Sequence, residues 1–207
     1  MLTRHSSRRI RLDKAVLNQR LEGAVSYDRI AGYFRSSLFE VAGEAIAKVA
    51  GPVRIVCNSD LDPQDLVTGA AQAALRRSWC AGMPEEAPPS AIPRYRALYE
   101  ALTSGKMEVR VLPDSAFGLI HGKAGIVRRA DGSATAFLGS VTESASAWKV
   151  NYELLWEDDA PETIAWVQEE FDALWNDARA VDLACCPFIA QDVTDTKDND
   201  GIARWLL

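Results

Sequence analysis

The chain has 207 residues, 48% hydrophobic and 25% charged, with a net charge of −6, which describes one ordinary globular domain and excludes a globally basic nucleic-acid binder. No apolar run reaches the length of a bilayer span and the basic start has no signal-peptide core behind it, so no membrane partner and a cytoplasmic location are expected. The four cysteines, Cys57, Cys80 and the adjacent Cys185 and Cys186, suit neither a disulfide framework nor a zinc spacing, so a reduced protein without metal or other cofactor is expected.

In chain order, residues 1–24 form a basic arm and helix: within 1–20, Arg4, Arg8, Arg9, Arg11, Lys14 and Arg20 stand against the single acid Asp13, and Leu12, Ala15, Val16 and Leu21 repeat at helical spacing on a domain edge. Such a segment either contacts a phosphate backbone or is a solvated arm. A strand is predicted over Asp28–Phe34, a helix capped by Ser36 or Ser37 through Val49, and a buried strand over Val53–Cys57. That order predicts parallel strands with a right-handed crossover. Tyr33 reads as core, and Arg35 as a candidate for the cleft.

A loop at Asn58–Asp60 leads to a helix over 63–79, and the proline-rich 81–93 is irregular, a lid or a surface loop. A helix over Arg94–Leu102 and a strand over Glu108–Leu112 follow. Leu119–Arg128 and Ala134–Leu138 flank the Asp131-Gly132 turn, predicting an antiparallel hairpin. Tyr152–Glu157 is a further strand. Asp159, Pro161 and Glu162 then open a helix through Ala178 with Ile164, Val167, Phe171, Leu174 and Trp175 on one face. Residues 181–207 are a polar, acidic extension or the start of a further region. Trp148, Trp156, Trp166 and Trp175 read as core or interface rather than base-stacking platforms. The fold class is α/β, a mixed sheet between helices.

One stretch carries chemistry. His121, one of two histidines in the chain, and Lys123 stand two apart, on one face if they lie on a strand. Gly122, Ala124 and Gly125 around them are small enough for close approach of a substrate or a second subunit. Gly139-Ser140 ends the next strand, and Asn151 and Glu153 open the one after. A neutral imidazole held by an acceptor is a nucleophile at phosphorus, which casts His121 as nucleophile and Glu153 as its acceptor. Lys123, Ser140 and Asn151 supply donors for phosphoryl oxygens.

These residues resemble the signature of the phospholipase D (HKD) superfamily: H-x-K-x4-D, G-S-x-N and, in the small nuclease branch, N-x-E. The match is His121-Gly-Lys123, Gly139-Ser140 and Asn151-Tyr-Glu153. It departs at Arg128, where the family has Asp, and at Thr142, where it has Asn. The resemblance covers residues 25–180. It is similar more narrowly to nuclease-type domains at the N-terminus of bacterial superfamily II helicases, some in anti-phage loci.

It implies a phospholipase D-like mixed sheet with one HKD motif per chain. It also implies a metal-independent phosphodiesterase working through a phosphohistidine, with DNA as the first choice of substrate. Gly139, Thr142, Glu143 and Arg128 are the implied substrate contacts. Because the superfamily reaction uses two histidines and this chain has one HxK, a homodimer with a shared site is implied, with a helicase as separate or fused partner. The alternatives are a lipid phosphodiesterase or phosphatidyltransferase, and a catalytically weak HKD domain that dimerises and positions an effector on DNA.

Overall fold

A computed structural model describes residues 1–58, 93–117 and 119–183. The predicted helix over 63–79, the proline-rich segment, Cys80, Cys185, Cys186 and the acidic tail lie outside the described residues. The strands are β1 (Thr3–Ser6), β2 (Ala24–Gly32), β3 (Val53–Asn58), β4 (Met107–Leu112), β5 (Ala124–Arg129), β6 (Ala134–Gly139), β7 (Leu154–Asp158) and β8 (Val181–Asp182). They form an eight-stranded sheet in the order β1-β7-β6-β5-β2-β3-β4-β8. β2, β3 and β4 run parallel, and every other neighbouring pair is antiparallel. The mixed sheet with helices on both faces is the architecture expected from the order of elements.

The helices are α1 (Gln19–Leu21), which continues a π-helical turn at Asp13–Asn18, then α2 (Phe39–Lys48), α3 (Pro93–Thr103), α4 (Asp114–Phe117), α5 (Ala145–Lys149) and α6 (Pro161–Trp175). Strand alternation sorts the core into two layers. Tyr27, Ala31, Ile55 and Phe137 point to one side, where they meet Leu12, Leu21, Ile46, Leu98 and Trp148 from the N-terminal helix, α2, α3 and α5. Ile30, Val56 and Ile126 point to the other side, under Val167, Phe171 and Trp175 of α6. The predicted stripe of α6 is therefore the cover of one sheet face. Leu12 and Leu21 are fully buried, so the N-terminal helix is core rather than edge packing.

Several local expectations shift. Residues 119–123 precede β5 instead of belonging to it, because the ladder begins at Ala124 opposite Leu138. β7 likewise starts at Leu154, leaving Asn151–Glu153 ahead of the strand. Ser36–Leu38 is a 3-10 turn ahead of α2, and the Ser37 hydroxyl accepts from Ala145 N at 3.2 Å, at the start of α5 rather than on its own helix. Tyr33 is half-buried under the exposed Arg35, whose guanidinium lies 5.0 Å from the ring centroid. The hairpin forms as read, with Gly132 at φ +84° completing the turn between β5 and β6.

Candidate active site

The site lies where β2 and β3 end, β5 begins, β6 ends and β7 begins. Gly32 sits at the end of β2 with φ +63°, and a Cβ there would lie 2.7 Å from Ile120 O and 3.2 Å from Lys123 Cε. A glycine is thus needed twice over, for its backbone conformation and for the segment lying across it. Asn58, the last residue of β3, holds that segment from below: its Oδ1 accepts from Ile120 N at 2.7 Å and its Nδ2 donates to Ile120 O at 3.2 Å. The residue before His121 is therefore fixed by one buried amide side chain. Neither Gly32 nor Asn58 carries a local signal of this role, since each acts on Ile120, 88 and 62 residues further along the chain.

His121 is exposed, and among the described residues no hydrogen bond reaches its ring. Its carbonyl accepts from Lys123 Nζ at 2.6 Å. The half-buried Lys123 has its pKa lowered, first by burial and then by the Arg29 guanidinium, with Glu153 pulling the other way. Lys123 O accepts from Gly139 N at 3.0 Å, which docks the HxK segment on the end of β6.

Gly139 permits the next contact, because a Cβ there would lie 2.2 Å from Leu154 O. Ser140 and Leu154 then bond reciprocally, Ser140 N to Leu154 O at 3.0 Å and Leu154 N to Ser140 Oγ at 3.1 Å. The Ser140 hydroxyl donates to Glu153 Oε2, and Asn151 Nδ2 donates to Glu153 Oε1 at 3.4 Å. Glu153 is buried, so its carboxylate is held by neutral donors with Lys123 as the nearby cation.

Sequence order thus brings Lys123, Ser140, Asn151 and Glu153 together with His121 at their rim, but the pairing differs from expectation. Glu153 does not hold the His121 ring within the chain; both of its oxygens are taken by Ser140 and Asn151. Those two donors point at Glu153 rather than outward at a phosphate.

Three further implied substrate contacts have partners within the chain. Glu143 is fully buried and accepts from Tyr27 OH at 2.9 Å, Arg29 Nε at 2.5 Å and Trp148 Nε1 at 3.3 Å, so it is a core acceptor. Arg128 lies toward the far end of β5, donating to Gln168 Oε1 at 2.7 Å and pairing with Asp28 at 3.5 Å. Thr142 faces Ser144, with the two hydroxyls 3.4 Å apart. Of the implied contacts, Gly139 lies at the site, while the buried Glu143 and the distant Arg128 are engaged within the fold.

Arg29 is the residue missed altogether. It is 1% exposed, stacks 4.8 Å above the Phe137 ring and donates to Val141 O as well as to Glu143. It therefore ties β2 to the loop after Ser140 while standing behind Lys123. No group of three or more His, Cys, Asp or Glu side chains suited to a metal occurs among the described residues. No helix among them is long and apolar enough to cross a membrane.

The family model described as "Cardiolipin synthase, PLD-like domain" matches residues 17–175. A search of curated proteins gave no match. Nuc from Salmonella typhimurium, described as a phospholipase D family member, superposes with a TM-score of 0.54 at 16% identity, covering 88% of this chain and 97% of that one. NucT from Helicobacter pylori gives 0.51 at 15%, covering 88% and 98%. Polyphosphate kinase from Porphyromonas gingivalis gives 0.50 at 12%, covering 87% of this chain and 23% of the kinase. At such identities the superpositions speak for fold, while the family match spans most of the sequence. The chain belongs to the phospholipase D-like family, and its eight-stranded sheet flanked by helices is that family's fold.

Proposed function

We propose that the chain is a phosphodiesterase that cleaves nucleic acid, DNA in the first place, without a metal and through a phosphohistidine on His121. His121 attacks phosphorus and the bond to the leaving oxygen breaks as that oxygen takes a proton from a second imidazolium. Water, giving its proton to that second imidazole, then displaces His121 and restores both rings. Lys123 stabilises the charge that gathers on the phosphoryl oxygens. Ser140 and Asn151 orient Glu153.

The observation that carries the reading is the convergence of an exposed His121, a half-buried Lys123 and the Ser140–Glu153–Asn151 set at one end of the sheet. Nucleic acid as substrate is supported by the exposed Arg8 and Arg9, which follow Ser7, a residue bonded directly to the Asn151–Glu153 backbone. That is a local basic segment beside the site on an otherwise acidic chain.

The second imidazole, and an acceptor for the His121 ring, come in this reading from a second copy of the chain, so the active unit is a homodimer with one shared site. Scattering is expected to give about twice the 22.7 kDa chain mass. The decisive experiment is cleavage of single- and double-stranded DNA in excess EDTA. Activity that disappears in chelator and returns with Mg²⁺ overturns the metal-free mechanism. A helicase, fused or separate, is the first effector to look for, and the cytoplasm the expected compartment.

One observation favours a lipid substrate instead: Val150 and Tyr152, on either side of Asn151, are 80% and 68% exposed. Hydrolysis of phosphatidyl lipid in vesicles, with DNA untouched, decides for that reading. Failure on both substrates leaves the role of a dimeric domain that positions an effector on DNA.

A further inference from the structure

We infer that Ser7 is a positioning residue of this site, which makes the N-terminal strand part of the machinery that holds Asn151 and Glu153. The inference rests on the phosphodiesterase reading above and extends it to a residue outside the matched span, 17–175.

One hydroxyl does two things. Ser7 Oγ accepts from Glu153 N at 2.8 Å and donates to Asn151 O at 2.9 Å. Ser7 N adds a bond to Glu153 O at 3.0 Å. Both ends of the three-residue turn that carries Asn151 and Glu153 are thereby tied to one side chain. Asn151 N is held independently by Ser146 O at 2.9 Å, so the turn is fixed on the α5 side as well.

Ser7 is itself anchored. β1 pairs with β7 from Thr3 opposite Glu157 to Ser6 opposite Leu154, so the strand delivers Ser7 to its place. Glu157 secures the same strand, accepting from Arg20 at 2.7 and 2.9 Å and lying 2.7 Å from His5 Nε2.

The consequence is chemical as well as structural. Without the hydroxyl, Glu153 N loses its acceptor next to a buried carboxylate, and water or a changed backbone must replace it. Glu153 would then be displaced from Ser140 and Asn151, the two donors that hold its carboxylate.

The test compares Ser7→Ala, Ser7→Thr and, as a control at the end of α3, Ser104→Ala on the purified chain. Ser7→Ala is expected to lower kcat roughly 10- to 100-fold with KM unchanged, the scale reached when outer partners of active groups are removed. Ser7→Thr keeps the donor and acceptor and is expected to restore the rate, while Ser104→Ala turns over normally. Amide hydrogen exchange at Glu153 supplies a readout independent of turnover, slow in wild type and Ser7→Thr and fast in Ser7→Ala. A Ser7→Ala chain with full kcat, or with Glu153 still protected, overturns the inference, as does a Thr variant as slow as Ala. A wild-type chain that cleaves no phosphodiester overturns the function reading alone, and the exchange comparison then decides whether Ser7 brackets the turn.

Discussion

Glu143 and Glu153 lie on the same stretch of chain, both almost wholly removed from solvent, and they are held in opposite ways. Glu143 is met by a guanidinium, a phenol and an indole N–H, so its charge is cancelled where it is buried. The phenol responds: burial raises the Tyr27 pKa well above its usual value and the Glu143 charge raises it further. Glu153 is met by a hydroxyl and an amide, both neutral, with Lys123 as a nearby cation. A carboxylate neutralised by its own core has nothing left to offer a substrate. One held by neutral dipoles keeps its field directed at whatever occupies the site. Under the proposed function the two residues therefore divide into fold and chemistry although the chain buries them alike.

The sharpest way to use this contrast begins at the rim. His121 is exposed and its ring bonds to no described residue, so His121→Ala removes no ring hydrogen bond among the described residues. Turnover is expected to vanish while the thermal transition stays in place. Residual cleavage at a rate near wild type would show that the nucleophile is another group.

Glu143 and Glu153 should then part company. Glu143→Gln leaves the Arg29 charge buried without its counterion, and breaking such a pair costs about 3–5 kcal/mol. Urea unfolding should show that loss, and activity should fall only with the folded fraction. Glu153→Gln keeps a polar group against Ser140 and Asn151, so stability should change by less than about 1 kcal/mol, the scale of a single neutral hydrogen bond. Its kcat should drop by roughly 10²-fold, the scale expected when a preorganised charge at the reacting centre is lost. If both variants lose stability equally and neither loses specific activity, the division is wrong.

Much of the scaffold could be read from local pattern, and the reason is visible in which parts could not. Periodicity located β2, α2, β3, α3, β4 and α6 within a few residues, and Asp131-Gly132 announced the β5–β6 hairpin, because those signals are carried by neighbouring residues. The motif order HxK, GS, NxE picked out Lys123, Ser140, Asn151 and Glu153, which the fold brings close together. It could not say which side chain bonds which, and the His121–Glu153 pairing failed at that level. Asn58 on Ile120, Arg29 on Glu143 and Ser7 on Glu153 link positions 62, 114 and 146 residues apart. Such links leave no local signature, as the short edge strands β1 and β8 also did not. Glu143 differs for another reason: an acid next to a signature position reads as exposed chemistry until the fold places Arg29 beneath it.

The smallest expected effect concerns a third carboxylate, Glu157, which anchors β1. Burial pushes its pKa up, but the hydrogen bonds and charges of Arg20 and His5 outweigh this and hold it below the usual 4.5. The folded state thus binds this proton less readily than the unfolded chain does. The stability contributed by the pair is fully present above the unfolded carboxylate value and is lost as pH falls through the lowered folded value. Glu157→Gln should remove that part of the acid dependence: its urea midpoint should lie below wild type at neutral pH and approach it in acid. The partly exposed Arg20 weakens the pair by solvent screening, so the gap should stay modest at neutral pH and shrink with added salt. Because β1 carries Ser7 to Glu153, the same variant should show faster amide exchange at Glu153 before global unfolding begins. Equal pH profiles for wild type and Glu157→Gln would mean that β1 is held by its backbone ladder alone.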